Sequence, residues 1–131
     1  MLDTNICIYI IKNKPASVKR KFLKFSAGEL CLSSITVAEL FYGVYKSQNI
    51  EKNLDALQRF LLPFEIVSFD EQAAIEYGKI RASLEKKGLV IGNMDMQIAA
   101  HVRVLDIPLV TNNTKEFERV EQLKLENWVE K

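Results

Sequence analysis

The chain has 131 residues, 48% of them hydrophobic, and 18 basic against 17 acidic side chains give a formal net charge of +1. One compact core burying roughly two thirds of the unfolded surface is expected at this size, and the near-neutral total says little about partners. No apolar stretch approaches the roughly 18 residues of a membrane span, and Asp3 interrupts the place where a signal peptide would begin, so a cytoplasmic protein is expected.

Taken in chain order, Met1–Asp3 reads as the end of a strand, with Asn5 capping a helix that runs to about Lys12. Pro15 suits the first turn of a second helix stopping near Gly28. Leu30–Ile35 is strand-like, and Thr36 opens a helix to about Lys46. A further helix runs from about Ile50 to Leu62, with Leu54, Leu57 and Leu61 on one face. Pro63 ends it, and Phe64–Val67 is the next strand. Asp70 caps a long helix closing at Gly88. Leu89–Ile91 is a short apolar run, a helix from about Met94 to Val104 follows, and Pro108–Thr111 reads as a buried strand. A helical turn near Glu116 and a last strand before Trp128 complete the chain. Alternation of strands and helices predicts an α/β fold with a parallel sheet, right-handed crossovers and helices on both faces.

Three carboxylates, Asp3, Glu39 and Asp95, stand among apolar or small residues where strand patterns give way to helix patterns. Each has a structural explanation. Thr36 and Glu39 fit a capping box, Asp95 complements the dipole of its helix, and Asp3 precedes a helix start. Jointly they point elsewhere, because parallel strands place every strand-to-helix turn at one edge of the sheet. Two unit charges about 4 Å apart repel by about 4 kcal/mol at an effective dielectric near 20. A hard divalent cation with oxygen ligands relieves that repulsion. Asn113 and Glu116 follow the Pro108–Thr111 strand at the same edge. Either can complete such a site, or Asn113 can cap the next turn. Thr4 and Asn5 are placed to orient Asp3.

The basic residues Lys12, Lys14, Lys19, Arg20, Lys21 and Lys24 form a stretch with no acid between them. They suit RNA phosphates, as do Arg81, Lys86, Lys87 and Arg103; a solvated helix face is the other reading. Tyr42, Tyr45, Leu54, Leu57, Phe60 and Leu61 are assigned to packing between two helices, part of that surface being open to a partner. Cys7 and Cys31 lack redox or zinc spacing and read as reduced packing residues.

His101 is the only histidine, which excludes a two-histidine ribonuclease and a zinc hydrolase with several histidine ligands, and it is expected on a helix surface. A phosphate loop and a nucleophile turn are both missing. Asp3-Thr4-Asn5 lacks the second aspartate of an Asp-x-Asp phosphatase, and the acidic pair of a receiver domain is absent.

The ordered segments Leu2-Asp3-Thr4-Asn5, Ser33 to Leu40, Ile91-Gly92-Asn93-Met94-Asp95 and Thr111 to Phe117 closely resemble those of PIN-domain ribonucleases. More narrowly they resemble the VapC toxins of bacterial VapBC toxin–antitoxin pairs. The resemblance spans essentially the whole chain. It implies a single PIN domain over residues 1–131, a three-layer α/β/α fold with a central, mostly parallel sheet of four to five strands. Carried over by motif, Asp3, Glu39 and Asp95 are the acidic catalytic residues. Asp3 and Asp95 would ligate Mg²⁺ or Mn²⁺, and Glu39 would do so directly or through water. Many PIN domains have aspartate where this chain has Asn113, leaving Asn113 or Glu116 as the fourth contributor beside Thr4, Asn5 and Thr111. The strand ahead of Asp3 is short, so residues that usually precede it are expected to lie outside this sequence.

The resemblance further implies metal-dependent cleavage of RNA, most often tRNA in the anticodon region, with initiator tRNA the leading substrate and translation arrest the result. It implies a homodimer neutralised by a VapB-type antitoxin, through which alone DNA would be contacted. Two other readings remain: a non-catalytic PIN-like module binding RNA or protein, and a DNA-directed nuclease of the same architecture.

Overall fold

The computed structural model describes residues 1–130. Among these residues seven helices and four short strands follow in the order α1 (Thr4–Lys12), α2 (Ala16–Phe22), β1 (Cys31–Ser33), α3 (Ser34–Tyr45), α4 (Ile50–Leu61), β2 (Glu65–Val67), α5 (Glu71–Lys87), α6 (Asn93–Leu105), β3 (Leu109–Val110), α7 (Thr114–Phe117) and β4 (Leu125–Glu126). Most predicted elements are present, and the differences lie at their ends.

The cap of α1 is Asp3 rather than Asn5, its carboxylate accepting from the Ile6 amide at 2.9 Å. The start of α3 is set by Ser33, whose hydroxyl accepts from the Ile35 amide at 3.1 Å. Thr36 is therefore inside the helix, so the expected Thr36–Glu39 capping box does not form. Pro15 occupies the cap of α2 rather than its first turn, and α2 stops at Phe22, short of Gly28. Asp70 caps α5 as expected, accepting from the Ala73 amide, and Gly88 closes it at φ +67°, where a residue without Cβ is unstrained.

Two parallel pairs make up the strands. In one, β1 and β2 run in register from Cys31–Glu65 to Ser33–Val67; in the other, β3 and β4 pair Leu109 with Leu125 and Val110 with Glu126. Met1–Asp3 lies between the pairs. The Leu2 amide donates to the Cys31 carbonyl at 3.2 Å, the Asp3 amide to the Val110 carbonyl at 3.0 Å, and the Val110 amide to the Met1 carbonyl at 2.9 Å. An isolated parallel bridge joins Leu2 to Val110. The segment order across the centre is thus β2, β1, residues 1–3, β3, β4.

Alternation along these segments sends neighbours to opposite faces. Met1 and Leu109 join a core with residues of α5, α6 and α7, including Ile80, Leu84, Met96, Ile98 and Phe117. Leu2, Leu32 and Val110 face a second core with Ile6, Ile10, Val18, Leu40 and Leu57 from α1 to α4. The strands are therefore sandwiched between helical layers. Among the described residues no helix is long and apolar enough to cross a membrane.

Two further expectations fail here. Leu89–Ile91 forms no strand, so Asp95 enters from a helix-to-helix connection. Tyr42 and Tyr45 are not packing residues between α3 and α4; they are 66% and 59% exposed, with the Lys46 ammonium 4.9 Å over the Tyr42 ring.

Leu2 is fully buried in the seam between the two strand pairs. Leu2→Ala is expected to cost about 2–5 kcal/mol. Urea unfolding should register this as a lower midpoint at unchanged slope; a loss below about 1 kcal/mol would show that the seam contributes little.

Candidate active site

Parallel pairing puts the carboxyl-terminal ends of residues 1–3, β1 and β3 at one edge. Asp3 follows Leu2 there, Glu39 stands on the second turn of α3, and Thr111–Glu116 leaves β3. Because α6 leads back into β3, it runs opposite to the strands. Its first turn, with Asp95, reaches the same edge.

Asp3 is 6% exposed. Burial raises its pKa above the usual carboxylate value, the nearby Thr111 hydroxyl and the Ile6 amide draw it back, and the Glu39 charge pushes it up again. Asp95 is lifted to about 7, first by burial, then by carboxyl-to-carboxyl contact with Glu116 and its charge, and further by the charges of Asp3 and Glu39. Four carboxylates therefore share one field. The Thr4 hydroxyl donates to Glu39 Oε1 at 2.7 Å, and the Asn113 carboxamide donates to Glu116.

Sequence reasoning left the fourth position between Asn113 and Glu116. Glu116 is the acid that faces Asp95, while Asn113, at the cap position of α7, makes no side-chain cap and instead holds Glu116. Thr111 is buried, and its hydroxyl also accepts from the Asn113 amide at 2.9 Å. Asn5 is exposed on the first turn of α1, its expected capping place taken by Asp3.

Among the described residues, no three His, Cys, Asp or Glu side chains form a ready cage for a metal ion. Donors from Thr4, Ile6 and Asn113 occupy oxygens that a cation would use. The donor set itself consists only of carboxylate, hydroxyl and carboxamide oxygens, and its crowding drives protonation of Asp95 near neutrality. That chemistry fits a hard divalent ion and does not fit a thiolate- or imidazole-bound one.

The predicted RNA-binding residues are not one surface. Lys12 lines a groove of about 320 Å³ with Glu39, Ile8, Ile11, Leu40 and Leu57. Lys14 is exposed in the turn after α1, and Lys19 lines an adjoining recess with Phe22 and Phe60. Arg20 and Lys21 pair with Glu130 and Glu126 at 3.3 and 4.0 Å. Arg81 donates to the Tyr77 hydroxyl at 2.8 Å, which donates in turn to Asn93 at the start of α6. Lys87 pairs with Glu121, and Arg103 with Glu76. Tyr77 carried no signal in the sequence and Asn93 appeared only as part of a motif, since their contact joins different helices.

With this geometry in view, the chain matches the PIN domain family over residues 1–123. The chain belongs to the PIN domain family. It is 48% identical over 128 residues to a Shigella flexneri protein named tRNA(fMet)-specific endonuclease VapC, covering 98% of this chain and 96% of that one. It is also similar to VapBC2 from Rickettsia felis, solved bound to a fragment of promoter DNA, with a TM-score of 0.91, 45% identity and 98% coverage of each chain. DNA-bound VapBC from Salmonella typhimurium superposes with a TM-score of 0.92 at 43% identity, covering 98% and 97%. The α/β reading, the PIN assignment and the VapC likeness made from the motifs thus stand. Members of this branch are ribonucleases by name, and their structures are toxin–antitoxin complexes.

In the native state Asp95 keeps its proton up to about pH 7, whereas its ordinary value is 3.8. Between these the folded chain binds more protons than the unfolded one, so stability falls as pH rises. His101 has the opposite sign, its lowered pKa making stability rise up to its ordinary 6.5. Thermal melts with chelator present should therefore show Asp95→Asn gaining on the parent chain as pH is raised from 5 to 8. The His101 contribution is common to both proteins, and parallel curves would refute the crowding.

Proposed function

We propose that this chain is the toxin of a type II toxin–antitoxin pair, a Mg²⁺- or Mn²⁺-dependent endoribonuclease that cleaves tRNA. Initiator tRNA, cut in its anticodon region, is the substrate this reading favours, with translation arrest in the cytoplasm as the consequence. The observation that carries it is the four-carboxylate field in which Asp95 rises to about 7. The name of the Shigella relative supports the substrate, and the VapBC structures support an antitoxin partner through which DNA is contacted.

Asp3, Asp95 and Glu116 would hold the ion, with Glu39 completing the set directly or through water. When bound, the ion supplies Lewis acidity, making water a better nucleophile and offsetting charge on the phosphate. The protein's own residues do the placing. Ile6 and Thr111 fix Asp3, Thr4 turns Glu39, and Asn113 turns Glu116. Lys12 stands beside Glu39 for a phosphate, and Arg81 stands close to Asn93. Lys14, Lys19, Arg20 and Lys21 add a weaker, salt-sensitive contribution to RNA binding. The apolar part of the Glu39 groove is the surface for the antitoxin's carboxyl-terminal segment, and a homodimer is the working form.

Purified protein incubated with total bacterial RNA should cut tRNA with Mg²⁺ and not with chelator, leaving 5′-phosphate and 3′-hydroxyl ends. Asp95→Asn should lower cleavage by at least about 100-fold while the fold survives, since one developing-charge contact is worth about that much. A parent chain that cleaves no RNA would favour the non-catalytic module, equal cleavage by the variant would remove Asp95 from the chemistry, and 2′,3′-cyclic phosphate ends would refute the hydrolytic chemistry. Lys12→Ala should weaken RNA binding and flatten its dependence on salt by about one unit of log–log slope.

A further inference from the structure

His101 is not on the helix surface. It is 2% exposed, on the same helix, α6, whose first turn carries Asp95. Its Nδ1 lies 2.8 Å from Ser33 Oγ, and that oxygen already accepts from the Ile35 amide. With that oxygen already accepting once, a Ser33 proton directed at Nδ1 of a neutral ring fits the arrangement, and burial, which lowers the His101 pKa, favours the neutral ring; the Ser68 backbone is its other polar neighbour. The Phe69 ring meets the imidazole edge-on at 5.6 Å and 84°, and the Phe69 amide donates to Ser34 Oγ at 3.0 Å.

One neutral side chain thus ties α6 to the β1–α3 junction and to the β2–α5 link. Among the described residues it makes the one side-chain hydrogen bond between α6 and the segment leading to Glu39. Stability alone does not call for it, because an apolar pair of the same shape in place of a buried hydrogen bond is close to neutral. Apolar packing tolerates small sliding of one helix on another, whereas a directional bond fixes axial position.

We propose that His101 is a positioning residue: its bond to Ser33 sets the register of α6 against α3, and hence the separation of Asp95 from Glu39. The inference rests on the metal-site reading above. Groups behind a ligand shell commonly tune metal affinity by about 10- to 100-fold, and displacements near 1 Å are enough to matter.

Titration calorimetry of the full chain with MgCl₂ and with MnCl₂, well below the melting temperature, tests this. His101→Gln carries its amide past the Nδ1 position and loses the partner for Ser33; His101→Asn keeps a polar atom near Nδ1. The Gln variant and Ser33→Ala should each weaken metal binding by about tenfold, and the Asn variant should stay within about twofold of the parent. Thermal melts of the same proteins report packing separately, and a purely structural histidine would lower the melting temperature of the Gln and Asn variants alike without moving the metal titration. Metal binding unchanged in the Gln variant and Ser33→Ala overturns the positioning role while leaving the site intact. A parent chain that takes up neither ion and cleaves no RNA overturns the metal site and this inference with it. Should His101→Gln not fold, Ser33→Ala carries the test, its melt reporting the lost cap and its titration the lost register.

Discussion

Carboxylate repulsion is the constraint around which the molecule is arranged. Asp3, Glu39, Asp95 and Glu116 are carried by separate segments yet lie close enough to act on one another's protonation, with Asp95 raised to about 7. Burying one ionised group is costly, and gathering several is more so unless a counter-charge is present. Among the described residues no lysine or arginine forms an ion pair with any of the four. Neutral donors steady them instead, through Thr4, Thr111, Asn113 and the Ile6 amide. Neutral donors orient acids without cancelling their charge, so the negative charge of the cluster is left uncompensated by the side chains around it.

The scaffold tolerates this because the crowded edge is separate from the load of packing. Met1–Asp3 bridges the strand pairs by backbone bonds, and the apolar side chains of the central segments point into two cores on opposite faces. Asp3 shows how tightly the two tasks are joined: one carboxylate oxygen caps α1 while the group as a whole belongs to the acid cluster. Capping and metal binding, which compete as explanations of a lone aspartate, are compatible here because a carboxylate has two oxygens.

The α6 helix has a similar double use. Its first turn supplies Asp95, and farther along His101 anchors it behind the strands, while Arg103 pairs with Glu76 at 2.7 Å. Helix α5 runs beside it with two distinct flanks. Tyr77 and Arg81 reach towards Asn93, whereas Glu76 and Lys87 meet Arg103 and Glu121. Cations that look equivalent in the sequence therefore have different surroundings: Lys12 shares a groove with Glu39, Arg81 is held by Tyr77 and Glu85, and Arg20, Lys21, Lys87 and Arg103 pair with acids elsewhere.

The sequence by itself determined most element types, the parallel α/β class, the gathering of Asp3, Glu39 and Asp95 at one edge and the family, because periodicity, caps and turn residues act over a few positions and the motifs are contiguous. Asp70 and Gly88, for example, mark the ends of α5 by local chemistry alone. It misplaced what depends on contacts distant in the chain. Ser33 displaced Thr36 as the cap of α3, since both residue types can do it and only the length of β1 decides. The surface position expected for His101 fails because a lone polar residue on a helix gives no sign of its partner 68 residues away. The choice of Glu116 over Asn113 as the acid facing Asp95, and the split of the basic residues, were likewise settled only by tertiary structure. Which side chains meet across layers is set by how helices pack, and local pattern carries no record of that.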